Sequence, residues 1–345
     1  MNEDDECGRS RSSLAQSART GPIRRRSLIA AGGALTLAAL LPQTPWSVGA
    51  AAAQDGSGIA RIVGAQRFRA GDAIVTALSD GYFPSDPEIV QGASPEELRP
   101  LFEAAFLDMD DYVGSVNAYL VDLPGRRLLI DAGGALEGVP SLGRLPDTLR
   151  VLGIDPGSID SLLATHMHPD HVGGALTAGG ARAFPNANLV LSEVDLAFWR
   201  SAEAREAGAE GYEQNQRVLA VFGPDRIRAF ADGASVAEGV TLRALTGHTP
   251  GHSGYAIGTG PEGLLVWGDV VHVPAVQFPR TDLGVAFDID ATQAARTRVA
   301  IMDEAAAGRL RVAGMHNPFP GVGFVARVAG TGSFAFVPSP YDHRL

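Results

Sequence analysis

The sequence predicts an α/β fold in which helices pack outside β-sheets. Three observations predict it. Short apolar runs bounded by Gly and Pro alternate with helix-like segments in both halves of the chain, the pattern of sheets covered by helices. From about Ile59 onward no long linker, low-complexity break or short-period repeat interrupts that alternation, so the segment reads as one domain rather than an array. Hydrophobic residues make up 45% and charged residues 19%, which is ordinary globular composition with material for a sizeable core. A length of 345 residues could hold two domains, but length is only a soft prior.

In chain order, Ala73–Leu78 and Val116–Val121 have strand character, and Arg127–Asp131 is an apolar run ending in an acid. Between the first two, Ser94–Phe106 opens on Ser-Pro-Glu-Glu, a helix-start signature. Ser141–Leu152 and Ser192–Ala207 also read as helices. Ile159–Thr165 reads as a strand running straight into a histidine cluster. Further strands are expected at Val240–Leu245, Tyr255–Ile257 and Leu264–Trp267, a helix over Ala291–Ala307, and a strand near Leu310–Ala313.

Residues 1–53 read as an address rather than as fold. Arg24-Arg25-Arg26 precede a mild apolar run, Ser27–Leu41, then a Pro-containing stretch and the small residues Ala51-Ala52-Ala53. The adjacent arginines and weakly apolar core resemble a twin-arginine export signal. The alternative is a membrane anchor, for which this run is short against a span of about 20 residues. The reading adopted is a cleaved signal, a periplasmic protein of residues 54–345, and no stable anchor after processing.

The net charge is −11, of which residues 1–53 contribute +2, leaving −13. Such a surface repels phosphate backbones and disfavours nucleic acid, while a small neutral or apolar substrate is compatible with it. The only cysteine is Cys7, so no disulfide forms within one chain, and any metal site must use His and carboxylates.

The histidines carry the chemistry. Of eight, His166, His168 and His171 fall in Thr165-His166-Met167-His168-Pro169-Asp170-His171, and His248 and His252 in Gly247-His248-Thr249-Pro250-Gly251-His252. His272 follows Asp269 closely, His316 sits in Gly314-Met315-His316-Asn317-Pro318, and His343 is isolated. A lone histidine is more often a surface or satisfied core residue than a ligand. Three in His-x-His-x-Asp-His after an apolar strand are different. Residues two apart in extended chain point the same way, so His166 and His168 can reach one ion together. Asp170 and His171, on the turn toward the next helix, can reach a second. Imidazoles and carboxylates suit Zn²⁺, and also Mn²⁺, Co²⁺ or Fe²⁺.

The order His166-x-His168-x-Asp170-His171, then His248, Asp269 and His316, resembles the metallo-β-lactamase superfamily. The resemblance implies a four-layer αββα sandwich and two divalent ions, expected to be zinc. It makes His166, His168 and His248 ligands of the first ion, and Asp170, His171 and His316 ligands of the second. Asp269 would bridge them, and Asp131 would support the ligand loops by hydrogen bonding. Two ions about 3.5–4 Å apart can share a water and lower its pKa, so the nucleophile would be hydroxide. Asp269 would hold the spacing and Asp170 assist proton movement.

Within that superfamily, Leu78-Ser79-Asp80-Gly81, Ser115–Leu120, His168–Gly174, Phe184–Ala187, Ala275–Phe278 and Phe319-Pro320-Gly321 resemble the methyl parathion hydrolase family over most of the chain, from about Ala73 to Tyr341. That family hydrolyses organophosphate triesters, and its relatives include lactonases and arylesterases that are often homodimers. His252 is expected to hydrogen-bond near His248, against the alternative of a plain turn residue. His272 is expected to point into the pocket, and Trp199, Phe278 and Phe319 to wall it, although aromatics are core residues more often than pocket residues.

Rival readings are weighed on the same residues. The bridging Asp269 with His316 argues against a true β-lactamase. A glyoxalase II-type thioesterase shares the whole ligand set. The charge argues against a nuclease, and His168, where flavodiiron proteins carry Glu, argues against those. The complete second ligand set argues against a mononuclear persulfide dioxygenase. Metal without turnover on any ester would indicate a binding protein.

Overall fold

The computed structural model describes residues 63–134, 139–206 and 211–342; the expected export signal and His343 lie outside them. Two seven-stranded sheets carry the chain. The first runs in sequence order through β1 (Ala65–Ala70), β2 (Ala73–Pro84), β3 (Val113–Leu123), β4 (Arg126–Ile130), β5 (Ser161–Leu163), β6 (Asn188–Ser192) and β7 (Ile227–Phe230). The second runs equally in order through β8 (Ser235–Ala237), β9 (Val240–Ala244), β10 (Ser253–Ile257), β11 (Leu264–Val266), β12 (Arg311–Ala313), β13 (Val322–Arg327) and β14 (Phe334–Pro338). Pairing is antiparallel except from β4 through β7 and between β11 and β12, where crossovers make it parallel.

Alternation along the strands explains the layering. In β4, Leu128 and Ile130 face the other sheet, packing in a cluster with Tyr255, Leu264 and Val266. Leu129, between them, faces the opposite way, toward a cluster with Leu145, Leu149 and Trp199. Both faces are buried, so the strand reads as an unbroken apolar run. The outer face of the second sheet, with Leu265 and Val312, is covered by Ile301, Met302 and Ala305 of the helix Ala291–Gly308. Helix, sheet, sheet, helix is the αββα order that the resemblance implied.

Several boundaries moved for identifiable reasons. The first helix, Pro95–Ala104, is held by a capping box between Ser94 and Glu97, as its sequence predicts. The expected helix at Ser141 starts only at Leu145, after Gly143 at φ +73°. The long helix expected from Ser192 is two, Glu193–Trp199 and Ala202–Glu206, with Ser201 capping the second. The strand at Ile159–Thr165 keeps only Ser161–Leu163. Beyond it Ala164 still donates to the Val190 carbonyl, but the Thr165 N–H turns to the Asp131 carboxylate. No helix among the described residues is long and apolar enough to cross a membrane.

Candidate metal centre

The site residues leave the C-terminal ends of two neighbouring strands in each sheet and one inter-strand loop. Asp131 follows β4, His166 to His171 follow β5, Asp269 follows β11 and His316 follows β12, while His248 lies between β9 and β10. Asp131 sits at φ +57°, a left-handed conformation that Asp tolerates better than most residues. Its Oδ1 accepts the Thr165 N–H at 2.8 Å. Its Oδ2 accepts the Thr165 hydroxyl at 2.8 Å and lies 2.6 Å from His171 Nδ1. Because the Thr165 proton is given to Asp131, its oxygen is free to accept from His166 Nδ1 at 3.1 Å. One buried carboxylate therefore sets two imidazoles with Nδ1–H inward and the Nε2 lone pair outward, the usual arrangement behind metal-ligating histidines.

His168 caps the short helix Pro169–Val172 in an extended conformation, and its ring lies 4.5 Å from that of His166, as two-residue spacing predicts. His168 Nδ1 is 2.9 Å from His248 Nε2. On the other side, Asp170 Oδ2 is 3.5 Å from His171 Nε2 and 3.4 Å from His316 Nε2. Asp269 stands between the groups: its Oδ2 lies 3.0 Å from His316 Nε2, 3.1 Å from His171 Nε2, 3.5 Å from His248 Nε2 and 3.8 Å from His166 Nε2. His166, His168 and His248 thus present converging ligand atoms, and so do Asp170, His171 and His316, with Asp269 shared.

The donor set fits divalent ions by its own chemistry. His166 Nε2, His171 Nε2 and Asp269 Oδ1 are buried with no hydrogen-bond partner among the described residues. Leaving such groups unpaired costs about 1–3 kcal/mol each, and a shared cation removes that cost. Burial, reinforced by neighbouring imidazoles, holds His166 and His168 well below the usual histidine range, so both are neutral donors. Burial raises Asp269, but His171, His316 and His272 outweigh it and keep the carboxylate ionised. Burial likewise opposes protonation of His171, yet Asp269, Asp170 and Asp131 raise it well above its ordinary value.

The outer residues partly depart from expectation. His252 is a supporting group, but for Asp269 rather than His248: its Nδ1 donates to the Leu245 carbonyl at 2.7 Å and its Nε2 accepts the Asp269 N–H at 2.9 Å. That contact requires Gly268, at φ +59°, where a Cβ would fall 2.5 Å from His252 Nε2. His272 does reach the site, with Nε2 3.1 Å from Asp269 Oδ2 and its ring stacked 5.1 Å from that of His316. A cavity of about 200 Å³ opens above these groups, walled by Phe83, Pro84, Val139 and Phe287 and floored by His168, Asp170, His248, Asp269, His272 and His316.

Trp199, Phe278 and Phe319 are not on that wall. Trp199 is buried beneath His168 with its indole N–H on Asp195. Phe278 packs on Trp267 and Phe336, and Phe319 packs against the inter-sheet core. Three supporting acids escaped the sequence reading. Asp288 lies 2.9 Å from His248 Nδ1. Asp195 accepts the Thr249 hydroxyl. Asp80 accepts the N–H groups of Gly134, Gly143 and Leu145, pinning the loop after Asp131. Only Asp80 had a signal, in the Leu78–Gly81 segment.

Comparison with known proteins gives the family and the fold. A family model described as the metallo-beta-lactamase superfamily matches residues 111–316. The chain belongs to the metallo-beta-lactamase superfamily. Among solved structures, the hydrolase AbOPH of the beta-lactamase superfamily is 29% identical at a TM-score of 0.75, covering 82% of this chain and 99% of its own. AidC, a dizinc quorum-quenching lactonase solved with a product, is 23% identical at a TM-score of 0.75, covering 81% of this chain and 99% of its own, a likeness of fold. The beta-lactamase-like protein 2 homolog of Drosophila melanogaster is 30% identical over 159 residues, 45% of this chain. The match spans about half the length of that relative, 46%. Family, fold and His/Asp cluster together make this a candidate metal-binding site in a chain of this superfamily.

Proposed function

We propose that the chain is a dinuclear zinc hydrolase of compact, uncharged lactones, aryl esters or phosphotriesters, of the methyl parathion hydrolase type. One observation carries the reading: two complete ligand trios share one buried carboxylate under a small cavity whose walls are apolar. His166, His168 and His248 would hold the first ion, Asp170, His171 and His316 the second, and Asp269 both. Bound divalent ions supply Lewis acidity and lower the pKa of water toward neutrality.

The chain's own residues do the rest. Asp131 and the Ser115 carbonyl, which accepts from His316 Nδ1 at 2.8 Å, orient the imidazoles. Asp170 is the most exposed member of the set at 18% and lines the cavity, so its carboxylate is placed to take a proton from the attacking water. Burial lowers His272 to about 4, so at neutral pH it faces the substrate as an uncharged imidazole. Phe83, Pro84, Val139 and Phe287 exclude water from the reacting bond.

The cavity also speaks to substrate charge. No arginine lines it among the described residues, and the sequence contains no lysine. An anionic thioester of the glyoxalase II kind would find neither arginine nor lysine there. Sequence segments shared with the methyl parathion hydrolase family and the lactonase named among the solved neighbours support the neutral class. Export through residues 1–53 and homodimer formation belong to the same proposal.

The test is the kcat/KM of zinc-loaded protein on an N-acyl-homoserine lactone, a methyl-parathion-type triester and an anionic thioester. A neutral substrate should exceed the thioester at least tenfold. Preference for the thioester would refute the substrate class.

A further inference from the structure

The turn between Gly284–Val285 and the helix Ala291–Gly308 supplies no expected ligand, yet it is laced to the loop that carries His248. The Ile289 N–H donates to the His248 carbonyl at 3.0 Å and the Asp290 N–H to the Gly247 carbonyl at 2.9 Å. Within this turn the Asp288 side chain is fully buried, at 0% exposure. Its Oδ1 lies 2.9 Å from His248 Nδ1, and its Oδ2 accepts the Val285 N–H at 3.0 Å. The opposite nitrogen of the same imidazole, Nε2, faces His168 Nδ1 at 2.9 Å and Asp269 Oδ2 at 3.5 Å.

We propose that Asp288 is the positioning residue of the first metal position: it holds the proton of His248 on Nδ1, so that Nε2 presents a lone pair to the ion. The inference rests on the metal reading above. An imidazole carries one ring proton when neutral, and whichever nitrogen holds it cannot ligate. A carboxylate beside Nδ1 fixes that choice, because it accepts and cannot donate.

The chemistry explains why the residue is an acid rather than an amide. Both oxygens of Asp288 accept a hydrogen bond, one from His248 and one from Val285. An Asn has a single acceptor oxygen. If that oxygen serves Val285, the amide N–H₂ meets His248 Nδ1 and drives its proton to Nε2, away from metal duty. If it serves His248, the amide N–H₂ opposes the Val285 N–H and the turn shifts. Four of the five ligand histidines then have an anchor: Asp131 for His171 and, through Thr165, for His166; the Ser115 carbonyl for His316; Asp288 for His248.

The experiment uses the full chain as wild type, Asp288→Asn and Asp288→Ala. Chelated protein carrying ¹⁵N-histidine reads the His248 tautomer from its ring-nitrogen shifts, assigned with His248→Gln. Titration with Co²⁺ alone then reads two affinities from visible absorption. Wild type should show the Nδ1–H tautomer and bind two ions. Asp288→Asn should move the tautomer toward Nε2–H and weaken one ion by about 10–100-fold, leaving the other within about threefold. If Asp288→Ala fails to fold, Asp288→Asn, which keeps volume, decides alone. Unchanged tautomer and unchanged affinities in Asp288→Asn would overturn the proposal. Wild type that binds no Co²⁺ would overturn the metal reading instead, and the tautomer comparison would still decide whether Asp288 orients His248.

Discussion

Asp195 tests how the two histidine loops are held together. Its carboxyl is buried, accepting the Thr249 hydroxyl at 2.5 Å, the Trp199 indole N–H at 3.1 Å and the Met167 N–H. Thr249 follows His248 and Met167 lies between His166 and His168, so one carboxyl ties both ligand loops. Burial outweighs these hydrogen bonds and lifts Asp195 from 3.8 to about 6. The folded chain therefore binds this proton more tightly than the unfolded chain does. The group's stabilisation is fully present below about pH 4, falls as pH rises to about 6 and is flat above, a loss of about 3 kcal/mol. Asp195→Asn stays uncharged, which removes that slope. It also leaves one buried donor unpaired, costing about 1–3 kcal/mol at every pH. The variant should therefore be less stable than wild type near pH 4 and draw level with it or better by pH 7. Urea unfolding of chelated protein, followed by circular dichroism across this range, measures the difference, in which the titration of other groups cancels. A stability difference that does not change with pH would refute the account of Asp195.

Two further substitutions probe the walls of the site. Phe287→Ala removes a half-exposed ring from the cavity wall, and should raise KM for an acyl-chain substrate about 5–30-fold with kcat nearly unchanged. Steady-state kinetics reads this, and an equal loss in kcat would place Phe287 in the chemistry instead. Gly251→Ala would bring a Cβ to 2.0 Å from the Asp195 backbone nitrogen, with no flexible side chain to yield. The strain, about 3 kcal/mol, should lower Tm by about 6–12 °C, and a thermal scan with unchanged Tm would contradict the packing described.

What could be read from the sequence was what is local. His166, His168, Asp170 and His171 leave the end of one strand within six residues, so their spacing already encodes convergence. The supports are not local. Asp288 reaches His248 across 40 residues and Asp195 reaches Thr249 across 54, and neither separation leaves a pattern in the chain. Asp288 sits in Phe-Asp-Ile-Asp before a helix, where an acid looks like a cap, and Asp290 does cap it. The aromatic nominations failed for a related reason. Trp199 and Phe278 lie on elements whose apolar faces are claimed by the core, whereas the cavity wall comes from the end of β2, where Phe83 and Pro84 sit, and from Val139 and Phe287 in loops. The same separation between core and wall left the layers legible: strands buried on both faces announce themselves as apolar runs.

The proposed hydrolysis requires two metal ions held by this histidine and aspartate cluster. Metal analysis of the purified chain, paired with lactone and triester turnover before and after chelation, tests it most directly. About two divalent ions per chain are expected, with turnover abolished by chelation and restored by zinc alone. Turnover that survives complete removal of metal, or a folded chain that takes up none, would contradict it.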